Sequence, residues 1–372
     1  MHPYKALPPH AFWKTAVSEK SHLDFFDIYR KKFSISQTDR IVTAGSCFAQ
    51  HIARRLRASG FNYRDYEPAP SELPKKFRQE FGYEIFSARY NNIYTARQLL
   101  QTFQRAFGYI VPMDSMWHHN GRFFDPYRPT VEPNGFASPE ELQASRHSHY
   151  AAVQRVFQES DLFIFTLGLT EAWIAKEDGS VYPLCPGTAA GEFDPASHIF
   201  HNFSFVETLE DLQALINAAR EVNPGLRFLL TVSPVPLTAT ASGGHVLVAT
   251  TYSKSVLRAV AGELVMRHDF VDYFPSYELV ASAPIRGMLY DPNLRSVTDR
   301  GVDLVMTHFF AQHRGSATRA ATSADQTTTD AGPERDHLRS PYVGEDEEVS
   351  EPTLMEDSGD VVCEELLLAE NR

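Results

Sequence analysis

The sequence is short of several things, and each shortage removes a class of function. It holds three cysteines in 372 residues, Cys47, Cys185 and Cys363. Odd in number and far apart, they cannot make the disulfide framework of a small secreted domain, which points to a reducing, cytoplasmic setting. No CxxC, HExxH or P-loop spacing occurs, so neither a metal nor a nucleotide cofactor is expected. No run of about 18 apolar residues is present, so no membrane span is expected. The opening MHPYKALPPHAFWKTAV lacks the apolar stretch of a secretory signal and suits an arm packed on a domain. Positive charge is also short, with 35 Lys and Arg against 47 Asp and Glu, a net of −12. Five Arg and fifteen Asp or Glu fall in residues 313–372, or −10 of that total. The remainder is close to neutral, with no basic face for nucleic acid.

What is present is ordinary for a soluble globular chain, 43% hydrophobic and 22% charged. Residues 1–312 read as one α/β domain. Beyond them, GSATRAATSADQTTTDAGPERD and GEDEEVSEPTLMEDSGD are too polar to offset chain entropy by burial. Residues 313–372 are therefore expected to be a disordered acidic tail, able to recruit a protein partner. The final CEELLLAE could form a short amphipathic turn, although a frayed end is the expected reading.

Within 1–312, strand and helix patterns alternate. RIVTAG, DLFIFTLG, GLRFLLTVSP and DFVDYFPS read as strands, and FAQHIARRLRAS as a helix stopped by Gly60. Ser138, Pro139 and Glu141 open another helix as N-cap, first helical residue and capping-box partner. VETLEDLQALINAAREV, YSKSVLRAVAGELVMRH and SVTDRGVDLVMTHFFAQH complete the set. Alternation of this kind predicts right-handed crossovers and a mainly parallel sheet covered on both faces. HHNGRFF and AKEDGSVY carry hairpin turns and are expected as insertions. In such sheets ligands lie beyond the carboxyl ends of the strands, which selects 45–47, 168–171 and the segments after Ser233 and Phe274.

At the first of these, Ser46 and Cys47 stand where a strand turns into a helix. A helix N-terminus favours a thiolate or an oxyanion. The plain alternative is an N-cap followed by a small buried residue. The stretch TAGSCFAQHI carries a Gly-Ser-Cys-Phe-Ala motif. With FTLGLTEAW (165–173), TVSPVP (231–236), SKSVLR (253–258) and YFPSYE (273–278) in order, the chain over about residues 3–312 resembles the GSCFA domain family. That family looks like a branch of the SGNH/GDSL hydrolases. The resemblance implies a flavodoxin-like three-layer α/β/α fold, and acyl-ester hydrolysis or acyl transfer through a covalent acyl-enzyme.

Carried over residue by residue, Gly45-Ser46-Cys47 matches Gly-Asp-Ser and makes Cys47 the nucleophile, with Ser46 the alternative. In RYNNIYT, Asn91, followed by Asn92, takes the position whose N–H serves an oxyanion hole, with a plain turn before a helix capped by Thr95 as the alternative. Gly168-Leu169-Thr170-Glu171 stands for Gly-x-Asn-Asp, so Thr170 would be the side-chain donor and Glu171 would orient a base or hold substrate. The fourth block, Asp-x-x-His, is missing: Asn293 and Ser296 stand there, flanked by Arg286 and Arg295, which would suit an anionic substrate or a surface ion pair. His245, after the third strand, is the best replacement base. His308 reads as a packing residue, and His51, one turn beyond Cys47, as an exposed helical residue with contact to the thiol as the alternative. His198 and His201 fall near a strand and a helix start, where Asn202 and Ser204 read as capping or substrate-contact residues. The pairs at 118–119 and 147–149 are explained by a hairpin tip and a solvated helix face. The resemblance implies a small-molecule or glycan acyl substrate. The rival reading is a non-catalytic binding or scaffold protein on a degenerate SGNH fold, and a lone thiol redox sensor is third.

Overall fold

The structure is a computed structural model and describes residues 2–25, 27–313 and Leu367. Most of the expected acidic tail therefore lies outside the described residues, as does Cys363. Strand β1 (Ile41–Gly45) runs into helix α1 (Cys47–Ala58). An irregular stretch containing the single turn α2 (Lys75–Arg78) leads to α3 (Ala96–Ala106), the hairpin β2 (Trp117–His119) and β3 (Arg122–Phe124), and α4 (Pro139–Glu159). Next come β4 (Leu162–Leu167), β5 (Glu171–Ala175), β6 (Val181–Tyr182), β7 (His198–Asn202) and α5 (Phe205–Val222). The chain continues through β8 (Arg227–Val232), α6 (Val246–Arg267), β9 (Val271–Tyr273), α7 (Ser276–Ala281) and α8 (Asp299–His313). The last helix thus takes in His313, a buried residue one position into the segment assigned to the tail.

The main sheet is parallel, in the order β1-β4-β8-β9. Its strands read as continuous apolar runs because both faces are covered. Alternate residues serve the two sides. Val42, Phe163, Phe165, Phe228 and Leu230 enter a core roofed by α3, α4, α5 and α6. Ile41, Leu162, Ile164 and Leu229 enter one formed with α1, α7 and α8. This is the expected three-layer α/β/α arrangement. On the outer side of β1, where a flavodoxin-like order has another strand, the chain makes one parallel bridge, Ile41 to Tyr63.

The caps follow local chemistry. Ser138 accepts from the Glu141 N–H, Thr95 from the Gln98 N–H, and Ser204 and Glu207 form a full capping box. The turn of HHNGRFF puts Asn120 and Gly121 at positive φ, as a two-residue hairpin requires. AKEDGSVY also pairs as expected, but β5 gains a second neighbour, giving a small antiparallel sheet in the order β6-β5-β7. HIFHN lacks the apolar alternation that would have announced β7.

One expected surface feature is buried. His149 was assigned to a solvated helix face, yet on α4 it follows Leu142 by two turns and precedes Ala152 and Val153, so it shares their buried stripe. Its Nδ1 lies 2.7 Å from Glu67 Oε2. Burial and Arg128 lower the His149 pKa, so the ring acts here mainly as an N–H donor. Burial alone would raise the Glu67 carboxyl, but His149, Arg128 and the Arg89 N–H outweigh it and hold it at about 2. Arg89 in turn binds the carbonyls of Phe81 and Val131 and the Glu132 carboxylate. This polar knot secures the segment that leads to Asn91.

Glu67 titrates near 4.5 when unfolded, so its lowered folded value contributes stability above pH 4.5 that is lost as pH falls towards 2. The lowered His149 acts in the same direction from pH 6.5 downward. We expect thermal stability to fall progressively below about pH 6 and steeply below about 4.5. Glu67→Gln should flatten the lower limb while lowering stability at pH 7, as thermal melts across pH would record.

Candidate active site

The site begins at the end of β1. Gly45 has φ +145°, and a Cβ added there would lie 2.5 Å from the Thr166 carbonyl oxygen of β4. Only glycine fits. Its conformation aims the Ser46 N–H at that same carbonyl, at 3.3 Å, and starts α1 at Cys47. Ser46 takes the N-cap position with extended backbone, but its side chain makes no cap hydrogen bond. Its Oγ is buried and has no hydrogen-bond partner among the described residues. Cys47 is buried at the first helical position, ahead of the first bond of the helix, in which the Ala49 N–H donates to the Ser46 carbonyl at 2.8 Å.

The Asn91–Asn92 turn is drawn to this point. The Ile93 N–H donates to the Gly45 carbonyl at 2.9 Å. Asn91 is in the left-handed region, φ +55°, as its residue type allows, and its amide donates to Thr130 Oγ1. Asn92 is buried and accepts from Gln50 Nε2 at 3.1 Å, one turn into α1. Thr95 caps α3 as well, so the plain reading of RYNNIYT as a turn entering a helix holds, and the same turn lies against the end of β1.

Gly168 closes the third side. A Cβ there would come 2.9 Å from Ser46 Cβ and 3.0 Å from the Tyr94 carbonyl oxygen, so these backbones touch. The Gly168 and Leu169 N–H groups both donate to that carbonyl. The Thr170 hydroxyl donates to Asn202 Oδ1 at 2.7 Å, and its N–H to Ser253 Oγ at 2.9 Å. A hydroxyl has one hydrogen, so Thr170 could serve an oxyanion only after giving up Asn202. Glu171 is held by the Thr240 hydroxyl at 2.7 Å, and burial, opposed by Thr240 and the Ala241 N–H, raises its pKa. It lines a cleft of ≈ 270 Å³ with Tyr94, Trp173, Tyr182 and Phe200.

Lys254 was missed by the sequence reading. It is buried, 2% exposed, and its Nζ donates to the Gly168 carbonyl at 2.6 Å. The available signal was a lysine sitting one turn before Leu257 and two before Ala261, on the apolar stripe of α6. With Ser253 it ties α6 to the loop after β4.

The other sequence candidates have contacts of their own. His245 is exposed at the N-cap of α6, its Nδ1 accepting from the Leu247 N–H at 3.1 Å. That bond fits the tautomer with the ring proton on Nε2. Asn293 Oδ1 accepts from the N–H groups of Arg295 and Ser296, and its amide donates to Ser296 Oγ, forming a closed Asn turn at the surface. Arg286 is exposed and Arg295 half-buried. His51 is not an exposed residue: it packs beside Phe48, and burial with Arg54 lowers its pKa to about 4. His308 is buried on α8, as expected of a packing residue. His201 pairs with Glu207, and His198 accepts from the Asp194 N–H. Among the described residues no group of three or more His, Cys, Asp or Glu is placed to hold a metal ion. Nor is any helix among them long and apolar enough to cross a membrane.

No curated protein matches the chain. Among solved structures, it is similar to a carbohydrate esterase family 3 protein from Talaromyces cellulolyticus, at 10% identity and TM-score 0.33, over 78% of this chain and 100% of that one. It is also similar to an acetyl esterase mutant with acetate ion, at 8% identity and TM-score 0.33, over 77% of this chain and 100% of that one. Both likenesses are remote. The sequence match is broad by contrast: the GSCFA family model covers residues 40–309, from the start of β1 into α8, and the chain belongs to the GSCFA family.

Proposed function

We propose that the protein is an acyl-ester hydrolase or acyltransferase that works through a thioester on Cys47. One observation carries this reading. A turn that only glycine can make delivers Cys47 to a helix N-terminus at the carboxyl edge of a parallel sheet, between the Asn91–Asn92 turn and the loop bearing Gly168. In the proposed first step the Cys47 sulfur bonds to the ester carbonyl carbon. The carbonyl oxygen takes negative charge, faced by the N–H groups of Cys47 and Asn91. The carbon–oxygen bond to the alcohol then breaks, and the alkoxide takes up the proton that the thiol gave. Water or a hydroxyl acceptor completes the cycle and restores the thiol.

With His245 engaged as a cap, we assign Lys254, whose Nζ donates to the Gly168 carbonyl, the role of positioning that loop and stabilising developing negative charge. Lys254→Met is expected to slow acylation about 100-fold with little change in KM. A natural-like kcat in a folded variant removes the role. The cleft pairs the Glu171 carboxyl with the rings of Trp173, Tyr182 and Phe200, which suits a substrate presenting hydroxyls and a flat apolar face, as a sugar does.

The rival, a binding protein on this scaffold, draws on the Asn293 turn that replaces an acid–base pair. The test is acylation by a short activated ester, acid quench and peptide mapping. A stoichiometric adduct on residues 41–54, lost rapidly to neutral hydroxylamine, establishes the thioester. A resistant adduct moves the role to Ser46. No adduct in the folded protein leaves the binding reading.

A further inference from the structure

A second groove opens beside the Asn91 turn. It has a volume of ≈ 430 Å³ and is lined by Gly82, Ile85, Asn91, Phe124 and Thr130. Its rim includes Thr188, which also lines the cleft of Glu171, so the two hollows adjoin. One lining residue comes from far along the chain: Leu367, half-buried and helical. We propose that this groove is the docking surface for the chain's own C-terminal segment, with Leu367 as its anchor.

The sequence of that segment and the groove's lining favour that occupant. Residues 314–372 are strongly polar, and Leu366-Leu367-Leu368 is the one run of three large apolar residues in them. The 53 residues from 314 to 366 have linker-like composition. A stretch of 53 residues can span up to about 175 Å, so its length sets no bar to reaching any face of a domain this size. The lining is mostly apolar or uncharged, with Ile85, Phe124, Pro129 and Pro133 among its residues, which suits a leucine side chain. A leucine seated against Asn91 covers the edge of the candidate site.

Hydrogen exchange on the full chain tests this. Leu367→Asp is expected to speed exchange about tenfold in peptides covering 79–91 and 124–133, with Leu354→Asp in the same tail leaving it unchanged. Equal exchange in all three proteins overturns the proposal. Protection that disappears on hundredfold dilution overturns it too, because a second copy would then supply the leucine. The proposed consequence, faster Cys47 acylation in Leu367→Asp, rests on the acyl-enzyme reading. The exchange result does not, so the two can fail separately.

Discussion

Cys47→Ala is expected to lower the rate of ester turnover by a factor of about 1,000 or more, with the fold intact. The change removes one sulfur from the first position of α1, where alanine is a good helix former, and adds no atom to a packed site. Stability should shift by about 1 kcal/mol at most, so a thermal melt separates loss of chemistry from loss of structure. Ser46→Ala is the necessary companion. The Ser46 Oγ makes no cap bond and has no partner among the described residues, so its removal should cost little stability. Under the Cys47 reading turnover in Ser46→Ala stays within about tenfold of the natural chain. The reverse pattern, with Cys47→Ala active and Ser46→Ala inactive, would transfer the nucleophile to Ser46. Equal, undiminished turnover in both would take the chemistry away from this turn.

Gly45→Ala should have the largest effect on stability. The new methyl would meet three atoms of Thr166 at 2.5–2.9 Å, two of them backbone, in a residue with φ +145°. The clash cannot relax cheaply. β1 is paired with β4 along its whole length, and moving Gly45 breaks its register with Thr166, the Ser46 bond to the same carbonyl and the Ile93 bond to the Gly45 carbonyl. A cost of about 3–4 kcal/mol follows from strain and lost bonds, a drop of about 10 °C in Tm. A melt within about 2 °C of the natural chain would show that the turn has another conformation available. Gly168→Ala presses on Ser46 Cβ and the Tyr94 backbone instead, so it should disturb the site more than the sheet.

These two substitutions differ in how far they could be anticipated. That β1 ends on a glycine before Ser46 and Cys47 is plain in RIVTAGSCF, and so is the helix that follows. Why the residue must be glycine is not, since the obstacle is Thr166, about 120 positions away. Likewise Thr95, Ser138 and Ser204 were readable as caps because a cap is a contact among residues three apart. His245 is also a cap, accepting from the Leu247 N–H two residues on, a use the sequence reading did not assign to it.

Local pattern by itself therefore determined the four strands of the main sheet, most helices, both hairpins and the strand–turn–helix at Cys47, because apolar spacing and turn chemistry are properties of a few consecutive residues. Ordered motifs added the family and the parallel three-layer fold. The tertiary structure alone decided that Lys254 reaches Gly168, that His149 is buried on Glu67, and that HIFHN pairs as a strand. Each is a polar group satisfied by a partner distant in sequence. Burial demands such a partner but leaves its identity to the way strands and helices are brought together.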